Sequence, residues 1–240
     1  MRLVVLAGGF GTRLQSAVSR HPKALAPIGS VPFLELQLQN WQAQGVSAFT
    51  FLLHHQSEQI VSFLESKRFT LMDGCHVDWI VEDVPLGTGG AIANAVQQLG
   101  LSGDFLATNA DTWLSAGVQD LIHAPSPSLA AVNLRDASRY GRVEFGADLK
   151  ITRFTEKSDS THNGWINAGL CKLSASLFSE WDSSPFSVEQ TLLPALARDG
   201  ELCAIPLETD FIDIGVPADY FRFCDWISDK RFNRLTPYES

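Results

Sequence analysis

Residues 1–14 carry the pattern that decides the fold: Met-Arg-Leu-Val-Val-Leu-Ala-Gly-Gly-Phe-Gly-Thr-Arg-Leu. The apolar run Leu-Val-Val-Leu is typical of a strand that is covered on both faces of a sheet. Gly8, Gly9 and Gly11 follow, and their missing β-carbons let backbone N–H groups converge on an anion. A loop after a parallel strand lies at the carboxyl edge of the sheet. The sequence therefore predicts a phosphate-binding loop there, with Arg13 as a planar cation.

The rest of the first half alternates short apolar runs with segments of helical spacing. Such runs predict buried strands, and apolar residues three or four positions apart predict the helices packed on them. This alternation gives a parallel sheet with right-handed crossovers, and hence an α/β fold. The predicted strands are Leu3–Leu6, Ala48–Leu53, Val77–Val81 and Asp104–Thr108, and the predicted helices are Pro32–Gln44, Ser57–Ser66 and Gly89–Leu99.

The second half is richer in strands and turns, which predicts a mixed, partly antiparallel extension of the same sheet. No linker rich in proline, glycine or serine separates the halves. We therefore expect a single domain over residues 1–240, with a first half (1–125) and a second half (126–240) that share one sheet. The predicted strands are Leu129–Leu134, Gly141–Phe145, Ile151–Thr155, Ile166–Leu173 and Leu202–Pro206, and the predicted helices are Val188–Ala197 and Pro217–Ser228.

Charge and composition exclude several classes of protein. The 240 residues carry a net charge of −9 without a basic stripe, which argues against nucleic-acid binding. Apolar runs are far shorter than the roughly 20 residues of a membrane span, and the N-terminus lacks a signal-peptide pattern. The four cysteines form no CxxC pair, as expected for buried thiols in a reducing compartment. We expect a cytoplasmic protein that contacts neither membrane nor nucleic acid.

Other glycine-rich motifs fit the first loop poorly. A dinucleotide fingerprint would need glycine at Leu14, and Pro22 and Pro27 interrupt the helix that should follow. A P-loop would need Gly-Lys-Ser or Gly-Lys-Thr, where this chain has Gly-Thr-Arg. The same two prolines stiffen the chain around Lys23, which would aim its ammonium group at a fixed point.

After the glycine loop, a series of further motifs follows in order: His21–Ile28, Pro85–Ala91, Asn109–Asp111, Glu156-Lys157, Ile166–Gly169 and Asp213–Pro217. On these blocks the chain resembles the sugar-1-phosphate nucleotidylyltransferases, and within them most closely the D-glycero-α-D-manno-heptose 1-phosphate guanylyltransferases. It departs from the usual family pattern at Ala24, Val31 and Ala110, of which only Val31 replaces a residue that is often charged. The resemblance implies a Rossmann-like three-layer sandwich with a mostly parallel mixed sheet, the nucleotide-diphospho-sugar transferase (GT-A-like) fold.

The resemblance implies a reaction of a nucleoside triphosphate with a sugar 1-phosphate, giving a nucleotide sugar and pyrophosphate with Mg²⁺ as cofactor. It implies a nucleotide-binding half (1–125) and a sugar-phosphate-binding half (126–240). It implies Arg13, Lys23 and Asp111 as catalytic residues and Asp111 and Asp213 as metal ligands. Carboxylates suit Mg²⁺, which prefers oxygen donors. The implied sugar-phosphate contacts are Gly141, Glu156, Lys157 and Asn167, and the nucleotide contacts are Leu6, Ala7, Gly8, Gly9, Gly11, Thr12, Arg13, Glu82, Gly87, Thr88 and Asn109.

The choice of base depends on Glu82, which directly follows the predicted strand Val77–Val81. A carboxylate accepts from guanine N1–H and N2–H₂ together, whereas uracil and thymine offer one such donor, so the sequence favours GTP. Mannose-1-phosphate guanylyltransferase and N-acetylmuramate-1-phosphate uridylyltransferase are the alternatives. A non-catalytic sugar-nucleotide sensor is an alternative of a different class, although the charged residues of the motifs are present. A homodimer is an expectation from the family.

Overall fold

The computed structural model describes residues 1–18, 20–155 and 163–229. Its strands are β1 (Arg2–Leu6), β2 (Pro27–Ile28), β3 (Val31–Pro32), β4 (Ala48–Leu53), β5 (His76–Val81), β6 (Asp104–Asn109), β7 (Thr112–Leu114), β8 (Ser128–Leu134), β9 (Arg142–Phe145), β10 (Ile151–Thr155), β11 (Gly164–Ser174), β12 (Cys203–Leu207) and β13 (Phe211–Asp213). Its α-helices are α1 (Phe33–Ala43), α2 (Ser57–Lys67), α3 (Gly87–Leu99), α4 (Val118–His123), α5 (Leu193–Arg198) and α6 (Pro217–Ser228). Short 3₁₀ turns cover Lys23–Leu25 and Ala175–Phe178, and a π-helical turn covers Val188–Leu192.

Nine of these strands form one mixed sheet. Its parallel part runs β5-β4-β1-β6, with Leu3 of β1 opposite Phe49 of β4 and Leu106 of β6. Strand β11 joins the two halves of the chain because its C-terminal part pairs antiparallel with β6, while β8 pairs along its other edge. The β9–β10 hairpin pairs beside the N-terminal part of β11, and β12 runs parallel to β8. The small ladders β7–β13 and β2–β3 lie outside this sheet.

Helices cover both faces of the sheet, which places its central strands in the core. Leu3 and Val5 point to the face covered by α1 and α2, and Val4 points to the face covered by α3 and α5. All three side chains are fully buried, as the two-residue period of a strand covered on both sides requires. Helix α6 packs in a third cluster with Phe33 and Trp113. These layers confirm the predicted α/β sandwich.

The predicted elements of both halves are present, with small shifts at their ends. The helix predicted at Val188–Ala197 is divided into the π-helical turn Val188–Leu192 and α5. Helix α4 and strand β7 were not predicted, because segments of six and three residues are too short to show a period. Among the helices of the described ranges, none has the length and apolarity that crossing a membrane requires.

Candidate active site

A cleft of about 510 Å³ opens at the carboxyl ends of β1, β4, β5 and β6. This is the edge at which open α/β sheets bind ligands. A smaller cleft of about 210 Å³ adjoins it and shares Asn109, Thr112, Glu189 and Asp213 with it. The larger cleft is lined by the predicted residues Leu6, Ala7, Gly8, Gly9, Gly11, Thr12, Arg13, Lys23, Glu82, Gly87, Thr88, Asn109, Asp111 and Asp213.

The predicted sugar-phosphate residues divide into two groups. Gly141 and Asn167 line the smaller cleft. The Asn167 side-chain oxygen accepts a hydrogen bond from the Gly169 N–H at 3.0 Å, which leaves its amide NH₂ group as a donor. Glu156 and Lys157 lie outside the described residues.

The glycine loop is tied to the end of β4 by its backbone. The Ala7 N–H donates to the Leu52 carbonyl at 2.9 Å, and the His55 N–H donates to the Gly8 carbonyl at 3.3 Å. Gly11 has a φ of +61°, in the left-handed region that favours glycine. A β-carbon on Gly9 would meet no atom within 4 Å, so this part of the loop borders open space. The loop is therefore fixed at its base and open towards the cleft.

Lys23 lies beside the glycine loop, between the carboxylates of Asp111 and Asp213. Its ammonium group donates to Asp111 Oδ2, and its Nζ lies 3.5 Å from Asp213 Oδ1. Asp213 Oδ1 also accepts from the Gly215 N–H at 2.7 Å. Burial and the nearby Asp111 carboxylate raise the pKa of Asp213, and Lys23 partly opposes this shift. The cluster therefore concentrates negative charge at a partly buried point.

The donor set of this cluster fits Mg²⁺. Two carboxylates converge beside the glycine loop. A divalent cation bound to them would relieve the repulsion by Asp111, which adds to the effect of burial in raising the pKa of Asp213. Across the described ranges, no group of three or more His, Cys, Asp or Glu residues is arranged to hold a metal ion. Asp111 and Asp213 would therefore supply two ligands, and phosphate oxygens or water would supply the others.

Glu82 presents a buried acceptor at the wall of the larger cleft. Its Oε2 accepts from the Leu86 N–H at 3.2 Å, whereas its Oε1 is buried without a hydrogen-bond partner in the described part of the chain. Burial raises the pKa of Glu82, and the hydrogen bond from Leu86 partly offsets the shift. His54 Nδ1 donates a hydrogen bond to the Glu82 carbonyl at 2.9 Å, which fixes the end of β5. A buried carboxylate oxygen of this kind calls for a donor from a ligand.

Protein atoms pack against the glycines at the start of α3. The Gly89 and Gly90 N–H groups donate to the Phe186 carbonyl at 2.9 and 3.3 Å, and a β-carbon on Gly89 would overlap the Phe186 ring. The hydroxyl of Thr88 accepts from the Val188 N–H at 2.8 Å and donates to Glu189 Oε2 at 2.7 Å. The sequence placed Gly87 and Thr88 among the nucleotide contacts. In the structure both line the cleft, but the Thr88 hydroxyl is already paired within the protein.

Sequence reasoning did not assign several cleft-lining residues to the site, and three of them carry charged or imidazole side chains. His54 borders the larger cleft, Arg139 borders the smaller one, and Glu189 borders both. Arg139 forms an ion pair with Asp219 of α6. Arg139 lies two positions before Gly141, the predicted residue that lines the smaller cleft, so its position in sequence was an available signal. Glu189 carried no such signal, because its place depends on contacts with a distant helix.

The sheet, its carboxyl-edge clefts and the helices on both faces define an α/β protein of the nucleotide-diphospho-sugar transferase fold. Comparison with protein-family models gives a narrower result. The model described as nucleotidyl transferase matches residues 2–228, and the chain belongs to that family.

Individual relatives agree with this assignment. The D-glycero-α-D-manno-heptose 1-phosphate guanylyltransferase of Campylobacter jejuni is 30% identical over 225 residues, covering 93% of this chain and 98% of the relative. The mannose-1-phosphate guanyltransferase of Aspergillus oryzae is 29% identical over 92% of this chain. This chain spans only 62% of the Aspergillus protein.

Solved structures give the same picture. The crystal structure of HddC from Yersinia pseudotuberculosis has a TM-score of 0.82 and 31% identity, covering 94% of this chain and 99% of that one. A second HddC structure, complexed with GMP-PN, has a TM-score of 0.81 with the same identity and coverage.

Proposed function

We propose that this protein transfers a nucleotidyl group from GTP to a sugar 1-phosphate, with D-glycero-α-D-manno-heptose 1-phosphate as the favoured acceptor. The observation that carries the proposal is the cluster of Lys23, Asp111 and Asp213, which faces the glycine loop and borders the larger cleft. The clefts of about 510 and 210 Å³ suit a nucleotide and a sugar held side by side. Family membership and the HddC complex with GMP-PN support the same reaction.

The proposed reaction is an in-line substitution at the α-phosphorus. A phosphate oxygen of the sugar phosphate forms the new P–O bond while the bond between the α- and β-phosphates breaks, and pyrophosphate leaves. Catalysis then depends on positioning and charge neutralisation, for which no protein nucleophile is needed. Arg13 and Lys23 would balance charge on the triphosphate. When bound by Asp111 and Asp213, Mg²⁺ would neutralise phosphate oxygens and help to align them.

The buried Glu82 Oε1 supports guanine as the base. An ionised carboxylate can accept from guanine N1–H and N2–H₂, and a base without this donor pair leaves buried acceptor capacity unpaired. The proposal is consistent with the guanylyltransferase relatives and with GMP-PN in the HddC complex.

Mannose 1-phosphate is the second candidate acceptor, because mannose-1-phosphate guanyltransferases are also among the relatives. It shares the manno configuration of the heptose. In the smaller cleft, the Gly141 backbone and the Asn167 amide are the proposed sugar contacts. Glu156 and Lys157 stay predictions for the sugar hydroxyls and phosphate, as do Mg²⁺ dependence, the cytoplasmic location and a homodimer.

The direct test is pyrophosphate release with Mg²⁺, crossing GTP, UTP, dTTP, CTP and ATP against three acceptors. These are D-glycero-α-D-manno-heptose 1-phosphate, mannose 1-phosphate and N-acetylmuramate 1-phosphate. We expect release with GTP and the heptose phosphate. Release with UTP and the muramate sugar would refute the guanine assignment while keeping the reaction. Nucleotide-sugar binding without release in any combination would instead favour the non-catalytic sensor.

A variant of Glu82 tests the base assignment separately. Glu82→Gln replaces one acceptor oxygen by a donor NH₂ group, so we expect kcat/KM with GTP to fall about 10- to 100-fold. The residual rate with UTP should change much less, because uracil does not use both acceptors. Equal losses with GTP and UTP would show that Glu82 does not read the base.

A further inference from the structure

Glu189 lies where the two clefts meet, yet the reaction described above does not use it. It lines the larger cleft together with Thr88, and the smaller cleft together with Gly141 and Asn167. It belongs to the π-helical turn Val188–Leu192. Turns of this type are rare and frequently occur at functional sites.

Two chains of hydrogen bonds hold one oxygen of this carboxylate. In the first, the Val188 N–H donates to Thr88 Oγ1 at 2.8 Å, and that hydroxyl donates to Glu189 Oε2 at 2.7 Å. In the second, the Gln190 N–H donates to Ser187 Oγ at 3.2 Å, and that hydroxyl donates to Oε2 at 2.8 Å. An ionised carboxylate only accepts, so both hydroxyls must point towards it.

This arrangement uses Oε2 fully and leaves Oε1 available. Within the described ranges, Oε1 of Glu189 has no hydrogen-bond partner, and the residue lines both clefts. The supporting segment is itself fixed, because the Phe186 carbonyl accepts from two N–H groups at the start of α3. The protein thus holds a strong acceptor in one orientation, which lowers the entropic cost of binding a donor.

We propose that Glu189 Oε1 accepts a hydrogen bond from a ring hydroxyl of the sugar and so determines which sugars bind well. This inference rests on the proposed function. A carboxylate repels phosphate, and the base acceptor Glu82 lines only the larger cleft. Glu189 instead shares the smaller cleft with Gly141 and Asn167, the proposed sugar contacts. A site built to pair with a hydroxyl discriminates against a sugar that lacks it.

Thr88 and Ser187 are positioning residues in this proposal, because they act through the Glu189 carboxylate. Thr88→Val removes the hydroxyl while keeping nearly the same shape, whereas Thr88→Ser keeps the hydroxyl. Loss of sugar affinity in the first variant and its rescue in the second would separate hydrogen bonding from packing.

The test is calorimetric binding of GDP-mannose and of GDP to the purified protein with Mg²⁺. GDP-mannose has the ring configuration shared by both candidate acceptors, and GDP has the base, ribose and diphosphate without the sugar. We expect Glu189→Ala to weaken GDP-mannose about 10- to 100-fold, since a hydrogen bond to a charged group is lost, and to change GDP less than about twofold. Thr88→Val should weaken GDP-mannose by about 3- to 10-fold, with Thr88→Ser near wild type.

Controls make each outcome decisive. Glu180→Ala removes an exposed glutamate away from both clefts and should leave both affinities unchanged. Monodeoxy analogues of GDP-mannose each lack one ring hydroxyl. For one of them we expect weaker binding than GDP-mannose to the wild-type protein, but equal binding of the two ligands to Glu189→Ala. Equal weakening of GDP and GDP-mannose would assign Glu189 to the ribose and overturn the proposal, as would unchanged binding of both. A wild-type protein that binds neither ligand would overturn the proposed function as well.

Discussion

Two glycine-rich segments border the same cleft, and they use glycine for opposite purposes. In the first, around Gly9, an added β-carbon would meet nothing within 4 Å. In the second, at the start of α3, an added β-carbon on Gly89 would overlap the Phe186 ring, and the Phe186 carbonyl already accepts from the local N–H groups. The first segment leaves space for a ligand, whereas protein fills the second. A run of glycines therefore indicates close approach without telling what approaches.

If the reaction takes place beside the first glycine-rich segment, around Gly9, loss of the Asp111 carboxylate should have the largest effect on turnover. We expect Asp111→Asn to lower kcat for pyrophosphate release about 10²- to 10³-fold, because charge stabilisation at the reacting phosphates is lost. The unfolding midpoint should change little, since Asp111 is partly exposed. Steady-state kinetics with saturating Mg²⁺ and chemical denaturation give the two readouts.

Asp73→Asn is the matched control, because it makes the same substitution on an exposed residue outside both clefts. It should leave kcat unchanged. Turnover at the wild-type rate in Asp111→Asn would show that this carboxylate takes no part in the reaction proposed beside the glycine loop.

A substitution in the second glycine-rich segment, at the start of α3, should lower the stability of the protein. Gly89→Ala forces its β-carbon against the ring of Phe186, so we expect the free energy of unfolding to fall by about 2–3 kcal/mol. The second variant, Gly89→Ala with Phe186→Leu, makes room and should recover part of the loss. Denaturant titration with an unchanged m-value is the measurement. A stable Gly89→Ala protein with weakened nucleotide binding would mean that this segment, too, is open to the ligand.

The sequence predicts the sheet well where a physical pattern is local. The run Leu3–Leu6 is apolar at every position because helices cover both faces of β1, and that requirement is visible in the residues themselves. Strand β7 and helix α4 leave no comparable pattern, since each is too short for its period to repeat.

The candidate site is predictable to the extent that its residues lie in motifs. Resemblance supplied Lys23, Asp111 and Asp213, which are far apart in sequence and meet only in the fold. Glu189 could not be found in this way, because the Thr88 hydroxyl that orients it lies 101 positions away. The resemblance also assigned Gly87 and Thr88 to the nucleotide, and nothing local in the sequence shows that the segment around Phe186 packs beside them.

A substitution in the first glycine-rich segment should have a smaller effect, on nucleotide affinity and not on stability. Gly9→Ala adds a methyl group into unoccupied space at a φ that any residue adopts, so the free energy of unfolding should change by less than about 0.5 kcal/mol. The same methyl group would stand where phosphates approach the backbone, and we expect nucleotide affinity to fall about 10-fold. Calorimetric binding of GTP, compared with denaturation, tests both statements. Unchanged affinity would show that the phosphates do not approach Gly9.

The smallest expected effect is on the pH dependence of the unfolding free energy, which should differ between substitutions at Asp213 and at Gly89. Burial and Asp111 raise the pKa of Asp213 above its ordinary value of 3.8, so the native state binds more protons than the unfolded state between 3.8 and the raised value. Stability contributed by protonated Asp213 is therefore lost as pH rises through that interval. Asp213→Asn removes this contribution, because asparagine does not titrate. With metal chelated, the unfolding free energy of the variant minus that of wild type should therefore increase with pH across this interval, by about 1 kcal/mol or less. Gly89→Ala should shift the free energy by the same amount at every pH, because the space it fills holds no titrating group. Parallel curves for wild type and Asp213→Asn would show that charge is not concentrated on the open side.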